Sequence, residues 1–236
     1  MLELLRNKKI MVVAAHPDDE LLGLGASMHR LIAEYQVEVH VVILGEGITS
    51  RSEARDPMLW EKELSLHKVN IHEAKDAIGY HSVSIHDFPD NRFDTVALLD
   101  IIKVVENEKA AFKPDVIFTH HGGDVNIDHQ RTFEAVITSC RPMQDESVKT
   151  IITFETPSGT EWRASSDPRY FIPNMFVSVS IENLEAKIKA MESYEFEKRS
   201  YPHPRSPEAL KLQAQRWGVT VGHEFAEAFT IIRSIG

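Results

Sequence analysis

One cysteine, Cys140, stands in 236 residues. It has no partner for an intrachain disulfide, so nothing in the chain demands an oxidising compartment. Long apolar runs are missing as well. Arg6, Lys8 and Lys9 precede a hydrophobic stretch, but it stops at His16-Pro17-Asp18-Asp19. That is too short, and too charged at its far end, for a signal peptide or a membrane span. A cytoplasmic location with no transmembrane segment is the expectation. Basic residues are outnumbered, 26 Lys and Arg against 36 Asp and Glu, for a formal net charge of -10. Broad contact with a phosphate backbone needs clustered cations, so the composition argues against nucleic acid as a partner. No repeat, low-complexity tract or linker divides the chain. One domain over 1–236 is expected, with a core over about 1–155 and a C-terminal elaboration over about 156–236. The acidic faces are compatible with a monomer or a homo-oligomer.

What is present is an alternation of strands and helices. Lys9 to Ala15 and Val37 to Leu44 read as buried strands, and Leu21, Leu22, Met28, Leu31 and Ile32 between them leave one apolar helical face. This is a βαβ unit, which implies a parallel pair. The pattern continues with a helix over 56–78, a strand over 82–88, a helix over 95–112 and a strand over 115–120. A helix over 130–140 and a strand over 149–155 follow. The fold class predicted is α/β and Rossmann-like, a mostly parallel sheet flanked by helices. Beyond it, 174–181 alternates as an edge or antiparallel strand would. Helices are predicted over 183–199 and about 208–217, separated by an extended segment at Pro202, Pro204 and Pro207. The loop over 156–173, carrying Trp162 and Arg163, is long enough to be a lid or a substrate wall.

Two clusters of ligand-type side chains follow strands. Ala15-His16-Pro17-Asp18-Asp19-Glu20 leaves the first strand, and His120-His121-Gly122-Gly123-Asp124-Val125-Asn126-Ile127-Asp128-His129 leaves the strand over 115–120. Active residues of parallel sheets gather at the carboxyl ends of strands. His16, Asp19 and His129 form a two-histidine, one-carboxylate set that suits zinc or another divalent first-row ion. Asp18 is then a spare carboxylate outside that set and the candidate base. The bland account is a helix start in which Asp18, Asp19 and Glu20 offset the macrodipole. His120 and His121 compete with His129 as ligands, and Asp128 either orients a histidine or caps the helix. Gly23 and Gly25 lack the third glycine of a dinucleotide fingerprint, and the adjacent carboxylates would repel a pyrophosphate.

These residues resemble the LmbE-like or PIG-L deacetylases, zinc enzymes that remove the N-acetyl group from N-acetylglucosamine-containing molecules. The resemblance lies in His16-Pro17-Asp18-Asp19-Glu20 and Asp128-His129. It extends through the order of elements to about 155 and to Ala226-Glu227-Ala228-Phe229 near the C-terminus. It implies that His16, Asp19 and His129 hold zinc and that Asp18 is the general base for the attacking water. One departure stands out. Many members carry a histidine three residues before the last ligand, where this chain has Asn126. An amide can donate a hydrogen bond to an oxyanion but carries no proton at neutral pH. Asp18 is therefore favoured to return the proton to the leaving amine, with His120 or His121 as the alternative.

For substrate recognition the candidates are Arg51, Asp90, Arg92 and Asn126, weighed against plain surface ion pairs for the first three. The expected partner is a small amino-sugar substrate. The alternatives are a metal amidase of the same fold acting on another acylated substrate, such as an antibiotic or a thiol conjugate, and a Rossmann-like binding module without catalysis.

Overall fold

The computed structural model describes residues 2–236. After a short helical turn, α1 (Leu2–Leu5), the elements run β1 (Lys9–Ala14), α2 (Asp19–Tyr35), β2 (Glu38–Gly45), α3 (Glu61–Ile78), β3 (Ser82–Phe88), α4 (Leu98–Phe112), β4 (Val116–His120), α5 (Ile127–Ser139) and β5 (Thr150–Phe154). Then come β6 (Met175–Val179), α6 (Ile181–Met191), α7 (Pro207–Thr220) and β7 (Phe225–Ser234). The strands form one sheet in the order β3-β2-β1-β4-β5-β7-β6. β1 to β5 are parallel, and β7 is antiparallel to both of its neighbours. The Rossmann-like, mostly parallel α/β fold expected from the strand-helix alternation is the fold observed.

Both faces of the parallel part are buried, so its strands are apolar at nearly every position. Successive residues serve opposite layers. Ile10 and Val12 join Leu21, Leu31 and Ile71 on the side of α2 and α3, whereas Met11 and Val13 join Ile101, Val105 and Val136 on the side of α4 and α5. The strand order reverses at β1 and β4: the chain winds outward from β1 through β2 to β3, then crosses back to β4. At such a reversal the loops leaving two adjacent strands diverge and open a crevice at their carboxyl ends.

Three expectations are corrected. The helix expected over 183–199 ends at Met191, because Tyr194 turns inward and its hydroxyl donates to Glu20 Oε1 at 2.6 Å. The helix expected from 56 begins at Glu61. Strand β7 was not anticipated: the segment from Phe225 inserts between β5 and β6, where Phe229 meets Phe154 on one side and Met175 on the other.

Helix α2 carries a break of its own. Leu24 has φ -148° and ψ 19°, outside helical values. The freed groups are satisfied from the C-terminal elements: Lys187 Nζ donates to Leu22 O at 2.8 Å, and Glu227 accepts from Ser27 N at 2.6 Å. Gly23 lies where a Cβ would fall 2.2 Å from the Phe154 ring, so only glycine allows this close approach of helix to sheet. Among the described residues, no helix is long and apolar enough to cross a membrane.

Candidate metal centre and substrate cavity

The loop leaving β1 and the start of α5 after β4 meet in the crevice between those strands. His16, Asp19 and His129 offer ligand atoms that all lie within 4.8 Å of one another. Asp19 Oδ2 is 3.3 Å from His16 Nδ1 and 3.4 Å from His129 Nε2. Two buried atoms of this group, Asp19 Oδ1 and His129 Nε2, have no hydrogen-bond partner. Unpartnered lone pairs in a buried site carry a desolvation cost that a cation would offset. Two imidazoles and one carboxylate are the donor set that zinc and similar divalent ions take, so the residues present fit a metal.

Each imidazole has a further carboxylate behind it. His16 Nε2 donates to Asp128 Oδ2 at 2.9 Å, which leaves Nδ1 as the ring's lone pair toward Asp19. Asp128 is itself anchored by backbone donors, Asn91 N at 2.6 Å and Phe93 N at 2.8 Å. His129 Nδ1 lies 3.2 Å from Asp124 Oδ2, and Asp124 also accepts from Thr160 Oγ1 at 2.6 Å. Such partners fix ring orientation and raise ligand basicity. Asp128 thus orients a histidine, while the cap of α5 is Asn126, whose side chain accepts from Asp128 N. Asp124 had no pattern of its own in the sequence beyond the two glycines before it.

The electrostatics follow. Against the cost of burial, Asp19 and Asp124 hold His129 up at about 9, and Asp128 with Asp19 hold His16 well above the ordinary imidazole value. Asp19 is held well below the carboxylate range, against burial, chiefly by His129 and also by His16. The same carboxylates that favour a proton on these rings favour a divalent cation in its place.

His120 is excluded from the ligand set by its hydrogen bonds. Ala15 N donates to His120 Nε2 at 2.9 Å, so that nitrogen's lone pair is used and the ring proton sits on Nδ1, facing Thr156 Oγ1 at 3.0 Å. Burial and the adjacent His129 push it down to about 3, which leaves no imidazolium to act as an acid. The ring stacks on His129, centroids 3.9 Å apart. His121 points elsewhere and donates to Arg169 O at 2.7 Å.

Asp18 stands beside the centre in the left-handed region, φ 99°, a conformation Asp and Asn tolerate better than most residues. It is 1% exposed. Arg205 Nη1 donates to Asp18 Oδ2 at 2.9 Å and to Glu197 Oε2 at 3.1 Å, while Arg205 Nε donates to Ser158 Oγ at 2.7 Å. Burial pushes the Asp18 carboxyl well above the usual range, and Arg205 pulls it back. Sequence reasoning missed Arg205 and Glu197, since a proline-rich segment has no periodicity to mark which residues face inward.

A cavity of about 300 Å³ opens over this group, and its walls include His16, Asp18, Asp90, Asn126, Trp162 and Arg205. Arg51 lines it too, but donates to Glu197 Oε1 at 2.5 Å and to Phe196 O at 3.1 Å. Asp90 ties two loops together, accepting from Ser50 N at 3.0 Å and Ser50 Oγ at 2.7 Å. Asn126 Nδ2 donates to Asn91 Oδ1 at 3.0 Å. Arg92 is not among the lining residues, so the structure brings Arg51, Asp90 and Asn126 to the cavity and leaves Arg92 outside it.

Comparison with known proteins gives four findings. The family model "PIG-L: GlcNAc-PI de-N-acetylase" matches residues 11–140. The Escherichia coli K12 protein "Uncharacterized deacetylase YaiS" is 28% identical over 194 residues, 80% of this chain and 91% of YaiS. Among solved structures, N,N'-diacetylchitobiose deacetylase from Pyrococcus horikoshii has a TM-score of 0.75 at 19% identity, covering 96% of this chain and 84% of that one. GalB, the 4-carboxy-2-hydroxymuconate hydratase from Pseudomonas putida KT2440, has a TM-score of 0.73 at 19% identity, covering 97% and 98%. At such identities the structural likenesses show the fold alone, and the hydratase illustrates that one fold hosts several chemistries.

Proposed function

The chain belongs to the PIG-L family, and from that premise we propose that it is a metal-dependent hydrolase removing the N-acetyl group from an N-acetylglucosamine-type amino sugar or conjugate. The observation that carries this reading is the clustering of His16, Asp19 and His129 within 4.8 Å, with unpartnered buried ligand atoms, beside the Asp18 carboxylate that Arg205 holds. His16, Asp19 and His129 would hold the cation, with zinc the first choice and other divalent first-row ions the alternatives. When bound, such an ion supplies Lewis-acid polarisation of the acetamide carbonyl and acidifies water.

The remaining work falls to the chain's own groups. Asp18 takes a proton from the attacking water and returns it to the departing nitrogen, so one carboxyl serves both proton transfers. Arg205 binds Oδ2 of that carboxylate and leaves Oδ1 without a side-chain donor, which orients the base toward the cavity. Asp128 and Asp124 keep the two imidazoles turned inward. Asn126, Arg51 and Asp90 line the cavity and would offer donors and acceptors to sugar hydroxyls and the developing oxyanion. The N-acetyl amino sugar comes from the family and from the diacetylchitobiose deacetylase, whose fold this chain shares.

The test combines metal analysis with an assay of free-amine release across N-acetylglucosamine derivatives bearing free, lipid, nucleotide and thiol-linked aglycones. About one divalent ion per chain and acetate release from at least one derivative are expected. A metal-replete preparation that binds no ion would favour a non-catalytic binding module. Metal without turnover on any acetylated sugar would point to a different acylated substrate.

A further inference from the structure

The chain has three tryptophans, and two are accounted for. Trp60 Nε1 donates to Ser52 Oγ at 2.7 Å, and Trp217, 9% exposed, donates from Nε1 to Glu155. Trp162 differs in every respect. It is 58% exposed, its indole N–H has no partner among the described residues, and no other ring or cation packs against it. It nevertheless lines the cavity above Asp18. A lone exposed apolar side chain is ordinary on a protein surface. What sets Trp162 apart is how firmly it is presented.

Its neighbours on both sides are bound to the metal-facing loop. Thr160 Oγ1 donates to Asp124 Oδ2 at 2.6 Å, and Arg163 donates from Nε to Gly123 O at 2.6 Å and from Nη2 to Asp124 O at 2.7 Å. Asp124 is the carboxylate behind His129. Gly159 allows this approach, because a Cβ there would stand 2.8 Å from Asp124 Oδ1. On the other side Ser158 accepts from Arg205, which holds Asp18. The segment is therefore a fixed wall whose position is set by the same residues that set the metal centre and the base.

Exposure grades along the cavity, from 1% at Asp18 and 4% at Asp90 on the floor to 58% at Trp162 at the mouth. An acetamide must reach the floor to be hydrolysed, so whatever the substrate carries beyond the acetylated ring projects toward Trp162. A rigid indole with a free N–H offers a flat apolar face and one donor to a ring with a matching face and an acceptor. Resting on the deacetylase reading above, we propose that Trp162 is a substrate-binding residue that stacks on a second ring, so that the substrate class is an N-acetylated amino sugar bearing a further sugar or aryl ring.

The experiment compares N-acetylglucosamine with its two-ring derivatives, N,N'-diacetylchitobiose and an aryl glycoside, in the metal-loaded full chain. Trp162→Ala is expected to lower the ratio of kcat/KM for two-ring over one-ring substrates about tenfold, through KM and not kcat, with Trp162→Phe restoring most of it. The two-ring compounds should also quench tryptophan emission of the wild type and leave that of Trp162→Phe unchanged. An unaltered ratio in Trp162→Ala, or quenching that persists in Trp162→Phe, overturns the proposal. Should the wild type deacetylate neither these sugars nor any derivative of the wider panel, the deacetylase reading fails by that result, and the quenching still decides whether Trp162 binds a second ring.

Discussion

Lys187 Nζ donates to Glu227 Oε1 at 2.6 Å inside the break of α2, with both side chains almost wholly buried. The pair is a splice. The cation takes the carbonyl of Leu22 that the break orphans, and the carboxylate takes the amide of Ser27 that restarts the helix. Removing one partner leaves a buried charge and an unsatisfied backbone group together. Glu227→Ala and Lys187→Met are each expected to cost about 3–5 kcal/mol in urea unfolding. Either variant unfolding at the wild-type midpoint would show that water replaces the lost partner.

Asp18→Asn keeps the volume and tolerates the left-handed backbone, so it should fold and retain metal. Its turnover should fall by about 10²-fold or more, since the amide cannot accept the proton. His129→Ala should lose metal and turnover together. Acetate release near the wild-type rate in Asp18→Asn would remove that residue from the mechanism.

Asn126 has two duties that one pair of variants separates. Its Oδ1 caps α5, and its Nδ2 donates to Asn91 Oδ1 at the cavity wall. Asn126→Asp preserves the cap and removes the donor, whereas Asn126→Ala removes both and costs about 1 kcal/mol of stability. A rate that drops in Asn126→Asp with unfolding unchanged assigns the side chain to the oxyanion. Equal rates in wild type and Asn126→Asp reduce it to a cap.

Glu155 gives the pH dependence. Burial raises its carboxyl to about 7, and the Trp217 N–H opposes the rise. A carboxyl raised in the folded state binds a proton there that the unfolded chain has released, so its contribution is present below about 4.5 and is lost as pH climbs to about 7. Unfolding free energy should therefore decline across that window, and Glu155→Gln should flatten the decline. Identical pH profiles for the two proteins would contradict it.

The parallel half of the fold was legible because strands buried on both faces must be apolar at almost every position, and the ligand clusters sat directly after two of them. What decided between His129 and His120 was not legible, since both are histidines near a strand end. Only the bond from Ala15 N takes His120 out of contention. Arg205 and Glu197 lie in irregular chain whose inward-facing residues carry no periodic mark, and Asp124 acts through contacts with Thr160 and His129 that are remote or adjacent only in space. Arg51 and Asp90 were picked out by residue type, and the structure engages both with other protein groups. Strand β7 escaped notice because its partners are β5 and β6, which precede it with two helices intervening.

That late strand has a consequence for biosynthesis. β5 can pair with β4 as soon as it emerges from the ribosome, yet its other edge stays open until residues 225–234 arrive, and β6 has no neighbour until then. An unpaired edge is a template for association with other chains. Nascent or C-terminally clipped molecules should thus be the aggregation-prone species, shielded in the cell by whatever holds β5 and β6 apart from strangers while synthesis finishes.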